Sequence, residues 1–375
     1  MTEYQPLILK DNVISVLPVG DTLVKASFPN WATNANMWPD TARGLGQQIR
    51  VAYYCSSINT STFGSLSGGG KWLGGVLAPN GCIYGIPQTS ISVLKIDPTT
   101  DIATTFGSLS GPSWAGGVLA PNGKIYGVPY DNNAVLKIDP VTDAATTFGG
   151  MSGNYREWNG GVLASNGKIY CIPFDSGSVL IIDPTTDTIT TFGNFSSDQS
   201  KWIGGVLAPN GYIYGIPCDS TTILKINPAT DTATTFGSIS GSAKWWGGVL
   251  APNGYIYGIP RGSYTILKID PTTDTATTFG SISNSGEMWF GGVLASNGQI
   301  YGVTTHGQTV LKIDPTTDTF TTFGSFADDY LYMGGTLAPN GIIYCIPANA
   351  TTILKIGTSI STPIDFPLSR FFNKF

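Results

Sequence analysis

Aspartate is the residue with chemical potential that recurs most regularly in this sequence. Six segments carry two acidic positions four residues apart, as in Asp97 and Asp101, although one segment has Asn227 in the first place. Two carboxylates in a five-residue turn could bind Ca²⁺, but the ladder of alternating aspartates with a closing glutamate is missing. The spacing is instead typical of aspartates that cap their own turn through backbone hydrogen bonds. We therefore expect no metal site and no cofactor.

Groups suited to catalysis are scarce. The chain has a single histidine, His306, and its glutamates are Glu3, Glu157 and Glu287. General acid–base catalysis needs several partners placed around one reacting group, and one histidine cannot supply several histidine-based sites. His306 also stands in a segment that varies along the chain, as a surface loop residue would. The sequence therefore predicts a non-enzymatic protein with no catalytic residue.

Aromatic residues form a sharper pattern, because one stands two positions before each of seven glycine pairs. The set comprises Trp72, Trp114, Trp158, Trp202, Trp245, Trp289 and Tyr332. At the start of innermost strands these rings would form a collar around a central channel, where they could stack on sugars or clamp a partner segment. The alternative is that they fill gaps between neighbouring structural units, since buried aromatic area mainly serves cores.

Several short segments differ between otherwise similar stretches of the chain, and they form a second candidate binding surface. Loops on a rigid scaffold commonly carry recognition, although exposed loops also drift without function. The candidate binding residues in these segments are Tyr130, Asp131, Tyr155, Arg156, Phe174, Asp175, Arg261, Tyr264, His306 and Tyr330.

All these candidates are positioned by a unit of 42 to 44 residues that occurs seven times, as the spacing of the glycine pairs shows. In the copy that starts at Trp245, Asn253-Gly254 lies between two apolar runs, which is the strongest short-range signal for a hairpin. Asp270-Pro271 follows a third apolar run, and proline there presets a type I turn. Each unit is therefore predicted to form four antiparallel strands, A to D.

Seven such units indicate an all-β fold, a seven-bladed β-propeller of four-stranded blades. Residues 60–64 form a predicted D strand without A and B strands before it, and the last copy, which ends at Gly357, lacks its D strand. We expect the N-terminal D strand to complete the C-terminal blade and close the ring. The expected organisation is an N-terminal arm (1–59), the propeller (60–357) and an aromatic C-terminal tail (358–375).

The repeat sequence itself resembles known propeller repeats. The order Gly-Val-Leu-Ala-Pro-Asn-Gly-x-Ile-Tyr-Gly-Ile-Pro, then Leu-Lys-Ile-Asp-Pro and Thr-Thr-Phe-Gly, is similar to NHL-type, YVTN and streptogramin-lyase-like repeats. This resemblance spans residues 60–357 and implies the propeller fold, whereas propellers as a class host unrelated activities. The streptogramin-lyase-like members imply a histidine and glutamate pair with a divalent metal. Only His306 and Glu287 could form such a pair here.

Composition and charge narrow the range of partners. The formal net charge is −5, the sequence pI is about 4.8, and no Lys/Arg cluster could track phosphates, so nucleic acid is not expected. The start of the chain lacks the basic and apolar regions of a signal peptide, and no apolar run is long enough to span a bilayer. Membrane insertion is therefore not expected.

The two ends outside the repeat supply the functional expectation. Residues 17–23 resemble short segments of bacteriophage tail, fibre and other virion proteins, and exposed aromatic ends such as the tail usually dock on something. We expect a structural or interaction protein of the virion, either a capsid decoration or a tail or fibre component, that could be a homo-oligomer. It would contact other virion proteins through residues 1–59 and 358–375. The alternatives are a stand-alone carbohydrate-binding propeller that recognises surface glycans, and a streptogramin-lyase-like enzyme.

Overall fold

The computed structural model describes residues 59–358 apart from residues 112, 152–155, 197, 284–287, 307–308 and 327–330, together with the backbone of five flanking strands. The chain divides into two compact units, residues 1–54 with 361–375 and residues 55–360. The regular elements of the described residues are β-strands. Within the described residues, no helix is long and apolar enough to cross a membrane.

The first unit contains strands from both ends of the chain. β1 (Ile8–Lys10), β2 (Val13–Val16) and β3 (Val24–Ala26) form an antiparallel sheet with β2 in the centre. β4 (Gln48–Ala52) pairs with β33 (Pro363–Pro367), the last strand of the chain. The C-terminal tail is therefore hydrogen-bonded to the N-terminal arm of its own chain.

The second unit is a ring of seven four-stranded antiparallel blades, which confirms the predicted propeller. Strands A of neighbouring blades lie next to one another around the axis, and strands B, C and D follow outwards. Most residues of strands C are apolar and buried: in Val93–Asp97, Val93, Leu94 and Ile96 are buried, and Lys95 and Asp97 are partly buried. Every blade thus presents its A–B turn on one face of the ring, here called the turn face. The same face carries the C–D turns of the six blades whose strands C and D follow one another in the chain.

The strands of the first six blades follow in chain order. Blade 1 comprises β6 (Trp72–Leu77), β7 (Ile83–Pro87), β8 (Val93–Asp97) and β9 (Ile102–Phe106). Blade 2 comprises β10 (Trp114–Leu119), β11 (Ile125–Pro129), β12 (Val135–Asp139) and β13 (Ala144–Phe148). Blade 3 comprises β14 (Trp158–Leu163), β15 (Ile169–Pro173), β16 (Val179–Asp183) and β17 (Thr188–Phe192). Blade 4 comprises β18 (Trp202–Leu207), β19 (Ile213–Pro217), β20 (Ile223–Asn227) and β21 (Thr232–Phe236). Blade 5 comprises β22 (Trp245–Leu250), β23 (Ile256–Pro260), β24 (Ile266–Asp270) and β25 (Thr275–Phe279). Blade 6 comprises β26 (Trp289–Leu294), β27 (Ile300–Thr304), β28 (Val310–Asp314) and β29 (Thr319–Phe323).

Blade 7 joins the two ends of the ring. Strands A, B and C are β30 (Tyr332–Leu337), β31 (Ile342–Pro347) and β32 (Ile353–Gly357), and strand D is β5 (Thr60–Phe63). In the pairing of β32 with β5, Ile353 lies opposite Phe63. The predicted closure is therefore confirmed, and it covers the edge of β32 that an open ring would expose.

The paired glycines bring neighbouring A strands into contact around the axis. Each pair lies in a β-bulge between strands A and B, and its first member has a positive φ, 80° at Gly160. A Cβ built on Gly160 would lie 2.9 Å from the Cα of Gly204 in the next blade, and one on Gly75 would lie 2.6 Å from Cδ1 of Ile346. Both positions therefore require glycine. The seven first members form what we call the glycine ring: Gly74, Gly116, Gly160, Gly204, Gly247, Gly291 and Gly334.

Neighbouring blades are also joined at the turn face. The hydroxyl of Tyr84 in blade 1 donates to Oδ1 of Asp143 in blade 2 (3.0 Å), and Nζ of Lys95 lies 2.6 Å from Oδ2 of Asp143. Nδ2 of Asn80 donates to the Tyr84 hydroxyl (2.9 Å) and to the carbonyl of Pro140 (2.9 Å). We call this group of Asn, Tyr and Lys from one blade and Asp from the next a clasp.

The clasp changes the interpretation of the paired acids in the C–D turns. The first acid caps its turn as predicted, since Oδ1 of Asp97 accepts a hydrogen bond from the Thr99 amide (2.8 Å). The second acid instead holds the preceding blade, so the expectation that it caps its own turn is wrong. The tyrosine and aspartate pairs that bond in this way are Tyr84–Asp143, Tyr126–Asp187, Tyr170–Asp231, Tyr214–Asp274, Tyr257–Asp318 and Tyr344–Asp101.

Candidate functional site

The aromatic collar is buried between the blades. Trp114 has no exposed surface, packs against Tyr84 and Ile86 of the preceding blade, and donates its indole hydrogen bond to the carbonyl of Ala134 (2.7 Å). The other members are at most 5% exposed: Trp72, Trp158, Trp202, Trp245, Trp289 and Tyr332. The rings therefore fill the spaces between blades, and the expectation of an exposed stacking collar is corrected accordingly.

The residue between each collar aromatic and its glycine pair lies at the axis instead. Leu73, Ala115 and Phe290 belong to blades 1, 2 and 6, yet they pack in one cluster with Trp246 and Met333. Side chains from so many blades of a ring can meet only at its centre. All seven blades carry a different residue at this position, whereas the glycine pair beside it never changes. The set is Leu73, Ala115, Asn159, Ile203, Trp246, Phe290 and Met333.

The residue after each B strand contributes a second set to the same centre. Backbone hydrogen bonds link this residue to the residues that precede the A strands on either side of it. For example, Phe174 N–H donates to the carbonyl of Glu157 (2.9 Å), and Lys201 N–H donates to the carbonyl of Phe174 (2.9 Å). Again each blade has a different residue type. The set is Gln88, Tyr130, Phe174, Cys218, Arg261, Thr305 and Ala348. We call the fourteen residues of both sets the axial positions, and the side of the ring that carries them and the B–C and D–A loops the loop face.

Aromatic rings and guanidinium groups stack at the centre of the loop face. The ring centroids of Trp246 and Phe290 are 3.8 Å apart, and Phe174 lies 6.3 Å from Trp246. The guanidinium of Arg261 lies 4.4 Å from the Trp246 centroid, and that of Arg156 lies 4.8 Å from Phe174. Trp246, Arg261 and Arg156 are only partly buried. Flat, half-exposed groups of this kind are suited to contact a partner side chain or a sugar ring.

The predicted residues Tyr130 and Arg156 lie together at the edge of this surface. Nε of Arg156 donates to the Tyr130 hydroxyl (3.0 Å), and Nη2 donates to Oγ of Ser200 (2.8 Å). Nε also lies 3.6 Å from Oδ2 of Asp175. Burial raises the pKa of the Tyr130 hydroxyl, which the nearby Arg156 charge opposes. The guanidinium is thus fixed with one face against Phe174.

The predicted binding residues Asp131 and Asp175 have a structural task. Oδ1 of Asp131 accepts a hydrogen bond from the Arg156 amide (2.7 Å), and Oδ1 of Asp175 accepts one from the Ser200 amide (2.5 Å). Both amides belong to residues with a left-handed backbone, φ 62° and 57°. Each carboxylate therefore holds the D–A loop that leads into the next blade, which positions the Arg156 side chain.

The remaining candidates lie away from the axis or outside the described residues. Tyr264 is 55% exposed and lines a cavity of about 640 Å³ between the D–A loop at 238–244 and strand D of blade 5. His306 is partly buried in the B–C loop of blade 6. Tyr155, Tyr330 and Glu287 lie outside the described residues, so the structure does not test the predicted pair of His306 and Glu287.

No group of three or more His, Cys, Asp or Glu side chains in the described part of the chain could hold a metal ion. Cys171 and Cys345, which occupy strand positions where other blades have glycine, are fully buried, and burial raises the pKa of both thiols. The groups that the described residues offer at the axis are aromatic rings and guanidinium groups around an apolar centre.

Residues 122–252 and 208–363 match a family model described as a repeat of unknown function, DUF6923. Together the two matches span more than half of the sequence. The chain belongs to this family. No curated protein matches the sequence.

Solved structures similar to this DUF6923 protein include two lyases and the extracellular domain of a one-component system. A streptogramin B lyase has a TM-score of 0.70 at 12% identity, over 81% of this chain and 99% of that chain. Virginiamycin B lyase from Staphylococcus aureus has a TM-score of 0.70 at 10% identity, over 80% and 100% of the two chains. The extracellular domain of a one-component system from B. thetaiotaomicron has a TM-score of 0.61 at 12% identity, over 96% and 47%. Identities this low show the propeller fold alone.

Apart from Tyr130, Phe174 and Arg261, the axial positions are candidate binding residues that the sequence analysis does not single out. The variation between the seven copies could have identified them. Two positions per repeat change in all seven copies. The glycine pair after the first position never changes, and the residue before the second position is proline in six of the seven copies. The sequence analysis expects this variation in the loops, whereas one of the two positions lies inside strand A.

Proposed function

We propose that this protein is a non-enzymatic recognition module of a virion, which binds one partner per ring at the axial positions. The observation that carries the proposal is the sevenfold variety at each of two positions in otherwise similar blades. Seven equal residues would create seven equal contacts around the axis. Seven different residues create a single asymmetric surface, which is suited to one partner in one orientation.

The chemistry of the axial surface favours a protein partner. Trp246 and Arg261 are partly exposed and stack on each other at its centre. Tryptophan, tyrosine and arginine are the residues that most often dominate the binding energy of protein interfaces. Tyr130 and Arg156 extend the same combination towards blades 2 and 3.

The placement in a virion rests on the chain ends. The first unit is built from strands of both chain ends, and the ring takes none of its strands from that unit. The resemblance of residues 17–23 to segments of phage tail and fibre proteins supports attachment of this unit to a particle. In this arrangement the first unit attaches the protein and the ring presents the binding surface.

The test is cosedimentation of the full chain with purified particles and their host cells, using Trp246→Ala and Arg261→Ala. Each substitution should weaken binding by about 30-fold, because removal of a central interface residue costs about 2 kcal/mol. Val141→Ser is the matched control, since Val141 is 90% exposed in a C–D turn on the opposite face. Unchanged binding of both axial variants, with folded proteins, would exclude the axial surface.

Carbohydrate binding is the second candidate function, and the cavity beside Tyr264 favours it. Hydroxyl groups of Ser238, Ser240, Thr277 and other residues line this cavity of about 640 Å³. Serine and threonine hydroxyls match the hydrogen-bonding groups of a neutral sugar, and an exposed tyrosine can stack on it. A glycan array with the wild-type chain and Tyr264→Ala separates the two candidates, because glycan binding lost in Tyr264→Ala would assign recognition to the cavity.

The lyase fold similarity provides a direct test of the non-enzymatic proposal. One similar structure is a catalytically inactive virginiamycin B lyase with quinupristin. We expect the present chain to leave quinupristin unchanged, with virginiamycin B lyase as the positive control. Turnover of quinupristin that disappears in His306→Ala would show that the chain is an enzyme.

A further inference from the structure

A cavity of about 280 Å³ lies on the outer part of blade 5, beside the turn face. Strands C and D form its wall, because Lys268 in β24 pairs with Thr277 in β25 and Asp270 pairs with Thr275. Side chains of cross-strand partners lie on the same face of a sheet, and here this is the face that meets blade 6. Asp318 of blade 6 also lines the cavity.

Two aromatic side chains supply the apolar part of this cavity. Tyr255 and Phe279 line it, and both pack on the hydrophobic core between blades 5 and 6 while they remain partly exposed. Nζ of Lys268 lies 4.1 Å from the centroid of the Tyr255 ring and 2.5 Å from Oδ2 of Asp318. The structure therefore holds an ammonium group and a carboxylate beside an accessible aromatic ring.

The charged groups of the cavity already have partners. Lys268 is paired with Asp318, whose side chain is 37% exposed, and Oδ1 of Asp270 caps its own turn. Thr275 and Thr277 are exposed and contribute hydroxyl groups. A charged ligand would meet a like charge here as well as an opposite one. A neutral ligand with several hydroxyl groups meets only partners, because a hydroxyl donates to carboxylates and accepts from ammonium groups.

The tyrosine of this cavity is a feature of two neighbouring blades. It follows the Asn-Gly turn between strands A and B, and blade 4 has Tyr212 at the same position. There Nζ of Lys225 lies 4.1 Å from the Tyr212 centroid and 2.5 Å from Oδ2 of Asp274, as in blade 5. The residues at this position in the other blades are Cys82, Lys124, Lys168, Gln299 and Ile342.

We propose that the cavity of blade 5 binds one residue of a neutral glycan, with a second, equivalent contact at Tyr212 in blade 4. The apolar face of the sugar ring packs on Tyr255, and its hydroxyl groups bond to Lys268, Asp318 and the threonines of β25. Ligand pockets usually measure about 300–1,000 Å³, so a cavity at the lower end of this range fits a single sugar residue. The site lies on the outer part of the ring, so it stands or falls independently of the axial positions.

The test is saturation-transfer NMR on the full chain, with glucose, galactose, mannose and N-acetylglucosamine as probes. We expect at least one of these sugars to receive saturation with a Kd on the order of 1 mM, since so small a ligand makes few contacts. Tyr212→Ala combined with Tyr255→Ala should abolish the signal.

A milder variant measures blade 5 alone. In a chain that carries Tyr212→Ala, Thr275→Val should weaken sugar binding by about fivefold, because it removes one hydrogen-bonding hydroxyl and keeps the branched shape. Thr188→Val in the same background is the matched control, since Thr188 begins strand D of blade 3, where Lys168 replaces the tyrosine. This control should bind the sugar as the background does.

The cavity beside Tyr264 must be tested separately, because Thr277 lines both cavities. Tyr264→Ala should keep the saturation signal of the wild type. The proposal is overturned if the signal survives the loss of Tyr212 and Tyr255, if it disappears in Tyr264→Ala, or if none of the four sugars receives saturation. Circular dichroism of each variant verifies that the ring is folded.

Discussion

In six of the seven blades an aspartate of the C–D turn connects the blade to the preceding one, and this contact shows where local sequence reasoning stops. The capping role of Asp97 was predictable because the Thr99 amide is two residues away. The role of Asp143 was not, because its partner Tyr84 is 59 residues away, which is more than one repeat. Turn chemistry reports on the nearest residues, whereas a contact between blades depends on how the units stack.

The blade without a clasp lysine provides a matched pair of substitutions. Blade 3 has Ile181 where other blades have lysine, so Asp231 receives only the Tyr170 hydroxyl, whereas Asp143 receives Tyr84 and Lys95. Asp143→Gly should lower the free energy of unfolding by about 2 kcal/mol and Asp231→Gly by about 1 kcal/mol, because the partly exposed ion pair adds under 1 kcal/mol. Urea unfolding measures both, and equal losses would show that the ion pair contributes nothing.

The clasp tyrosines should also set the alkaline limit of stability. Burial raises the pKa of Tyr126, Tyr170 and Tyr344 to about 12, against about 10 in an unfolded chain. Their contribution to the free energy of unfolding is therefore complete below about pH 10 and is lost as the pH rises towards about 12.

Phenolate absorbance and circular dichroism, recorded together during an alkaline titration, check this limit. The absorbance of the clasp tyrosines should rise only with the loss of β-structure, and Tyr126→Phe should reduce that late rise. A folded protein in which all tyrosines ionise near pH 10 would contradict the assignment.

At the scale of strands, the repeat predicted where the strands lie, but it did not decide where the side chains of strand A point. The Asn-Gly and Asp-Pro turns correctly divided each unit into four strands, because both signals act within a few residues. The doubled glycine allows the backbones of neighbouring A strands to approach closely. The sequence left open whether the collar aromatics line a channel or fill the gaps between blades. Trp114 fills such a gap, and the residue after it, Ala115, lies at the axis.

The glycine ring should tolerate no side chain. Gly160→Ala places a Cβ within 2.9 Å of the Gly204 backbone and should cost about 3 kcal/mol or more in the free energy of unfolding. Gly123→Ala is the control, because Gly123 has a similar φ of 77° with nothing within 4 Å of its Cβ position, and it should cost about 1 kcal/mol. Denaturant unfolding of both variants measures the difference, and similar losses would show that the A strands can separate.

At the scale of the molecule, the ring and the number of its blades followed from the repeat, and so did the strand that closes it. The axial surface did not, because its members come from strands and loops of all seven blades and meet only once the ring is formed. The division between the ring and the first unit leads to a separate prediction about assembly.

Deletion of residues 361–375 removes β33 and with it the partner of β4. We expect the deleted chain to keep a folded ring with wild-type Tm but to lose incorporation into particles, measured by cosedimentation after expression with the other particle components. Trp246→Ala should show the opposite behaviour, with normal incorporation and weakened binding of the external partner. If the deleted chain is still incorporated into particles, the first unit does not attach the protein through β33.

Closure by β5 also bears on the order of events during synthesis. β5 leaves the ribosome before any blade exists, while its partner β32 emerges only after nearly the whole repeat array. At about 5–20 residues per second, the N-terminal strand therefore waits for roughly 15–60 seconds while the blades fold behind it. Until then the nascent array is open at both ends, so chaperones that cover exposed strand edges should associate with β5 early and leave only when β32 has emerged and paired with it.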